Sequence, residues 1–222
     1  MDPVFISIKT ASAAGVITFF LGLSAARLVA DMRRGPLKTA VDGLFTLPLV
    51  LPPTVAGFFL LALLGARRPL GRFLAEYLGV KIAFSWAAAV IAAVTASFPL
   101  MYRAARGALE QGDPALVQAA RTLGMGEWKI FWRVRLPSSL PGIASGAVLA
   151  FARGLGEFGA TAMIAGNIQG KTRTMPLAVY SAVASGDMDG AARYVLGLTV
   201  FSFIAAALMN ALGGGPGKGG KR

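Results

Sequence analysis

The sequence predicts an all-α membrane protein with five transmembrane helices, and three observations carry that expectation. Of its 222 residues, 55% are hydrophobic and only 14% are charged, a balance foreign to soluble domains. Five windows approach the length that an apolar helix needs to cross a ~30 Å hydrocarbon core, about 20 residues at ~1.5 Å each. Basic residues gather between those windows, where they orient spans against the cytoplasmic leaflet.

The first span is expected over about 8–30. Its opening, "MDPVFISIKTASAAGVITFF", has an acid before its base and an uncharged stretch from Thr10 to Ala26, so it reads as a retained span and not as a signal peptide. The second, about 43–65, contains "LPLVLPPTVAGFF" with Pro48, Pro52 and Pro53. Each proline removes a backbone donor and bends a helix, and the freed carbonyls must meet a neighbouring helix or a watery cavity. Two readings stay open: a packing kink, or a broken helix lining a solute path, which makes these prolines candidates for a translocation pathway or gate. The following "LGARRPLGRFLAEYLGVK", Leu64 to Lys81, is amphipathic at helical spacing, either a surface helix or a short sixth membrane segment.

The third span is expected over about 82–102, the fourth over 139–165 and the fifth over 194–212, with a disordered basic tail at 213–222, "GGGPGKGGKR" after Leu212. The fourth is interrupted by Arg153 and Glu157, spaced four apart so that they can pair on one helix face. An arginine near the midplane costs ~2.5–3.5 kcal/mol on insertion scales, so this face turns toward protein or an aqueous cavity. A structural ion pair and a pathway or gate role both fit. Gly154, Gly156, Gly159 and Ala160 permit close helix packing beside it.

Five crossings put the termini on opposite sides. Thirteen Lys and Arg fall on one side and eight on the other, so the richer side is expected to be cytoplasmic, with the N-terminus outside and the C-terminus cytoplasmic. The net charge of +12 is thereby assigned to span flanks and lipid headgroups, not to nucleic acid. The chain has no Cys and no His, which removes thiol nucleophiles, disulfides, His-dependent triads and ordinary zinc sites; no catalytic, cofactor-binding or metal-ligating residue is expected. "AGNIQGKT", Ala165 to Thr172, resembles a phosphate-binding loop. It lacks the first glycine, follows a span in place of a strand, and lies outside by the charge count.

Between the third and fourth spans lies the polar stretch 113–137. Asp113 is placed to cap a helix opened by Pro114 and closed by Gly124, and "EWKIFWRVRLP" then mixes bulky apolar with cationic residues before Pro137 halts it. Such a unit is too polar for lipid and too apolar for a linker. It docks on another protein or folds against its own bundle. The pattern Gln118-Ala119-Ala120, three residues, Gly124, nine residues, Val134, one residue, Leu136-Pro137 resembles the coupling-loop motif of ABC importer permeases, E-A-A-x3-G-x9-I-x-L-P, with Gln118 where Glu is usual and Val134 where Ile is usual. "LAFARGLGEFGATAMIAGNIQGKTRTMP" and the second and third spans extend the resemblance over nearly the whole chain, toward the molybdate branch and, more distantly, toward sulfate permeases.

The resemblance implies a type I ABC importer transmembrane domain over 4–212, without ATPase activity of its own. It implies an ATPase-coupling interface at Gln118, Ala119, Ala120, Arg121, Leu123, Gly124, Val134, Leu136 and Pro137. The partners implied are a second copy of the chain, two cytoplasmic ABC ATPase subunits holding ATP and Mg, and an extracytoplasmic molybdate-binding protein, all at the inner membrane. Tungstate, sulfate or thiosulfate are alternative cargoes. From another class, a secondary transporter or channel is the rival, and a membrane-embedded enzyme a more distant one.

Overall fold

The computed structural model describes residues 2–213, and among them the chain is helical with no strand. The expected basic tail lies outside the described residues except for Gly213, which closes the last helix. In chain order the helices are α1 (Pro3–Asp31), α2 (Pro36–Val50), α3 (Pro53–Leu64), α4 (Pro69–Tyr77), α5 (Trp86–Glu110), α6 (Pro114–Thr122) and α7 (Glu127–Ile130). A π-helical segment (Phe131–Arg135) follows, then α8 (Leu136–Leu155), α9 (Gly159–Ile164), α10 (Met175–Ala184) and α11 (Met188–Gly213). Proline opens five of them, α1, α2, α3, α4 and α6, and stands second in α10, at positions where its missing N–H would have no partner anyway.

Four helical stretches are long and apolar enough to cross a membrane: Pro3–Asp31, Trp86–Glu110, Glu127–Leu155 and Met188–Leu212; the bent pair α2–α3 makes a fifth when taken as one span. At nine residues, α4 rises only about 14 Å and is far too short to cross.

α5 is the central helix. Its inward face is small, with Ala88, Ala89, Ala92, Ala93 and Ala105 buried, so neighbouring backbones come close. On α8, Gly142 and Gly146 meet Ala108 and Ala104 of α5. A Cβ added at Gly146 would stand 2.3 Å from that of Ala104, closer than any real packing allows. Across the other face, Thr18 of α1 and Ser97 of α5 hydrogen-bond at 3.0 Å, and Ser97 also donates to Ala93 O at 2.7 Å, leaving neither hydroxyl unpartnered in the apolar interior. α11 exposes Val195, Leu196, Val200, Phe203, Ile204 and Leu208, as a helix against lipid does.

Two sequence expectations change, and of the two readings of the second span the broken helix is the one that the structure has. The second span is two helices meeting at 111°, because Leu51 and Pro52 each precede a proline and are pushed into extended backbone, with ψ of 134° and 136°. The fourth span stops at Leu155 and resumes as the short α9. Pro137 does not halt the segment before it: the helix begun at Glu127 runs on to Leu155. The π segment explains how. Its bonds run five residues back, Leu136 N–H to Phe131 O, and the wider turn relieves the clash that a proline ring makes with the carbonyl four residues before it.

Candidate functional site

The sequence points to two sites, a coupling segment at one end of the bundle and a passage through it. In the coupling segment, Asp113 Oδ1 accepts the Ala115 N–H at 2.8 Å and Pro114 fills the first helical position, so α6 starts where the sequence places it. Its end is a Schellman turn: Met125 N–H reaches Ala120 O at 3.1 Å, Gly124 N–H reaches Arg121 O at 2.9 Å, and Gly124 takes φ of +72°. A Cβ at Gly124 would meet nothing within 4 Å in this chain, so inside the protein the glycine is needed for its left-handed backbone and not for space.

Gln118, Ala119, Arg121 and Leu123 are exposed, and Leu123 is 81% so; Ala120 faces inward and is buried. Arg121 Nε bonds Glu127 Oε1 at 2.7 Å, which ties α6 to α7, and this bond to the carboxylate raises the guanidinium pKa above its ordinary value. Val134 and Leu136 are half-buried and Pro137 is exposed, on the helix leading into α8. Two residues outside the coupling motif belong beside them. Trp128 and Trp132 are 65% and 48% exposed and touch edge to face at 5.8 Å. Their spacing of four, shared by Lys129 and Arg133, is the signal that this stretch is a helix with one outward face, while Ile130 and Phe131 turn inward.

A polar cleft of about 1090 Å³ opens between the ends of α1, α2 and α5 and the inner side of α6. Asp42 accepts bonds from Tyr102 Oη at 2.7 Å and from Arg106, and Glu110 receives Arg106 Nε and Lys38 Nζ at 3.0 Å each. These pairs fasten α2, which buries none of its own residues, to α5.

Within the bundle, the break after Val50 and the break after Leu155 touch one another. A Cβ at Gly159 would stand 2.8 Å from Pro53 Cβ, and one at Gly57 would stand 2.7 Å from Ala160 Cα, so α3 and α9 cross at backbone contact. Glu157 sits in the second break and is buried: Oε1 accepts the Ala160 N–H at 2.9 Å, capping α9, and Oε2 lies 2.7 Å from Arg153 Nη1. The pair therefore forms with Glu157 beyond the end of α8, not within one continuous helix face. Arg153 keeps a third of its side chain exposed. Pro52 and Pro53 thus lie with Glu157 and Arg153 around one junction, whereas Pro48 stands apart on α2, beside Phe45 and the α5 residues Val94 and Phe98.

In the loop Ala165 to Thr172, Thr172 Oγ1 accepts the Ile168 N–H, and the N–H groups of Lys171, Thr172 and Arg173 converge on Ile168 O. The amides of Ile168, Lys171 and Thr172 are thus turned to the chain's own acceptors.

Residues 18–214 match the family described as binding-protein-dependent transport system inner membrane component. The molybdenum transport system permease protein ModB of Escherichia coli (strain K12) is 48% identical over 191 residues, 86% of this chain and 83% of its own. Among solved structures, a chain of the MetNI methionine ABC transporter in an inward facing conformation superposes with a TM-score of 0.69 at 18% identity, covering 94% of this chain and 93% of that one. A chain of a bacterial alginate ABC transporter, in complex with its alginate pentasaccharide-bound periplasmic protein, gives 0.72 at 14% identity over 94% and 75%. At these identities the two structures establish the shared fold.

Proposed function

The chain belongs to the binding-protein-dependent transport system inner membrane component family, and from that membership we propose that it is the permease subunit of an ATP-driven importer carrying molybdate across the cytoplasmic membrane. It is a multi-pass membrane protein with the fold of a type I ABC importer transmembrane domain. The observation that carries the cargo is the 48% identity to a molybdenum transport permease across most of both chains.

Five spans are too few to enclose and gate a path, so the working unit pairs this chain with a second copy about a two-fold axis. Two ATPase subunits bind at the α6 end, which the charge bias makes cytoplasmic, and hold the ATP and Mg. An extracytoplasmic binding protein delivers molybdate at the other end, in keeping with the family's description and with the periplasmic protein in complex with the alginate transporter. Exposed Gln118, Ala119, Leu123 and Gly124 form the surface that the ATPase grips. ATP-driven closure displaces α6, and the bundle tips between inward-facing and outward-facing states. The abutting breaks at Pro52–Pro53 and Glu157–Gly159 lie on the passage, where half-helices can shift without tearing a continuous ladder of backbone bonds.

The experiment is uptake of labelled molybdate by cells that lack this gene product and by cells that carry it, with tungstate, sulfate and thiosulfate as competitors. Molybdate uptake is expected only with the chain and its ATPase present, and inhibited by tungstate but not by sulfate. Sulfate inhibition at equal concentration would move the cargo to sulfate. Uptake without the ATPase would replace the importer with a secondary transporter or channel.

A further inference from the structure

The route from α6 into the bundle passes through an irregular turn. α6 packs chiefly against α7 and the π segment, and Arg121–Glu127 ties it there, so beside its short link to α5 a displacement of α6 enters the bundle through residues 127–135. Five of those residues are π-helical, an irregular turn set between α-helical ones, where the pitch of the helix changes. A load applied to α7 would be absorbed there unless something braces the turn.

The end of α1 supplies the brace. The Arg27 guanidinium lies 4.5 Å from the ring centroid of Trp128, ahead of the π segment, and 4.1 Å from that of Phe131, its first residue. One turn on, Asp31 Oδ1 accepts Arg135 Nη1 at 2.5 Å, at the last residue of the π segment. Arg27 and Asp31 face each other at 4.0 Å, so the two contacts act from one face of one helix. Phe131 is buried in the cluster that joins α1, α5 and α8, which gives the brace a fixed footing.

We propose that Arg27 and Asp31 are positioning residues for transport: they splint the π segment between Trp128 and Arg135 against α1, so that α6, α8 and the end of α1 move as one body. The proposal rests on the importer reading and assigns these two residues a part in it. A splint predicts loss of coupling, not loss of assembly. Without it the ATPase still docks and hydrolyses ATP, but less of the stroke reaches the passage.

The test uses the complete complex, permease with ATPase and binding protein, in proteoliposomes, and reads molybdate accumulated per ATP hydrolysed. Asp31→Arg and Arg135→Asp are each expected to lower that ratio by about tenfold with hydrolysis retained, and the double exchange to return it to within about threefold of the parent. Arg27→Lys keeps the charge but loses the planar stack on two rings. It is expected to lower the ratio by about threefold and carries the test if a reversal fails to reach the membrane. An unchanged ratio in the variants that assemble overturns the proposal, as does a parallel fall of uptake and hydrolysis that the double exchange leaves uncorrected. A parent complex that accumulates no molybdate would count against the importer reading instead.

Discussion

Gly124 shows how a residue can be legible in a sequence for one reason and required in the structure for another. The spacing of the coupling motif marks it, and a tight docking groove is the reading that the motif invites. Within the chain, the demand is the left-handed turn that lets Met125 and Gly124 satisfy the last carbonyls of α6. A β-branched side chain there is expected to cost ~1–3 kcal/mol of local strain and to abolish uptake while leaving the protein in the membrane; Asn, which tolerates this backbone, should retain more transport than Val. Normal uptake by Gly124→Val, with equal immunoblot signal from membranes, would remove the assignment. The Arg153–Glu157 pair was readable from its spacing, but the second duty of Glu157 was not. Because one carboxylate oxygen caps α9 at Ala160, Glu157→Gln should lose less transport than Glu157→Ala, whose buried N–H is left unpaired at a cost of ~1–3 kcal/mol. Exchanging both charges should restore more function than either single reversal, though not all of it, since Arg at 157 cannot accept the Ala160 N–H. Equal uptake by the double and single variants would argue against the pairing. Trp128 and Trp132 escaped the motif because it defines positions on either side of them; their exposure follows from helix phase, which the mixture of apolar and cationic residues masked.

At the scale of elements, apolar content located the spans, and proline and glycine decided where they break. Two adjacent prolines at 52 and 53 mark a disturbance compatible with a kink or a break, and the 111° turn between α2 and α3 makes it a break. The reason is cumulative: one proline bends a helix, whereas two in succession exclude both Leu51 and Pro52 from helical backbone. Pro137 ran the other way, because no sequence rule announces the π turn that makes room for it. The α5–α8 seam is a further element property. Gly146→Leu forces a side chain where even a Cβ would sit 2.3 Å from Ala104, and it is expected to destabilise the bundle by ~1–3 kcal/mol, read as a lower melting temperature in detergent with the helical circular dichroism retained below it. An unchanged melting temperature would mean that the seam opens freely.

For the molecule as a whole, the membrane class and the all-helical character with several apolar spans follow from composition and apolar length, and the cap and turn residues that bound α6 are readable at Asp113, Pro114 and Gly124, all of which act within a short stretch of chain. Lipid enforces this: a segment that cannot bury its polar backbone internally cannot cross, so local sequence decides crossing almost alone. What the tertiary structure decided are the meetings between distant segments. The Pro53 break abuts the Gly159 break, Asp42 and Glu110 fasten α2 to α5 through Arg106, and the end of α1 braces the π segment 104 residues later in the chain. Such pairings leave no period in a single sequence. They depend on the order and angle in which the helices pack, and only the folded chain sets those.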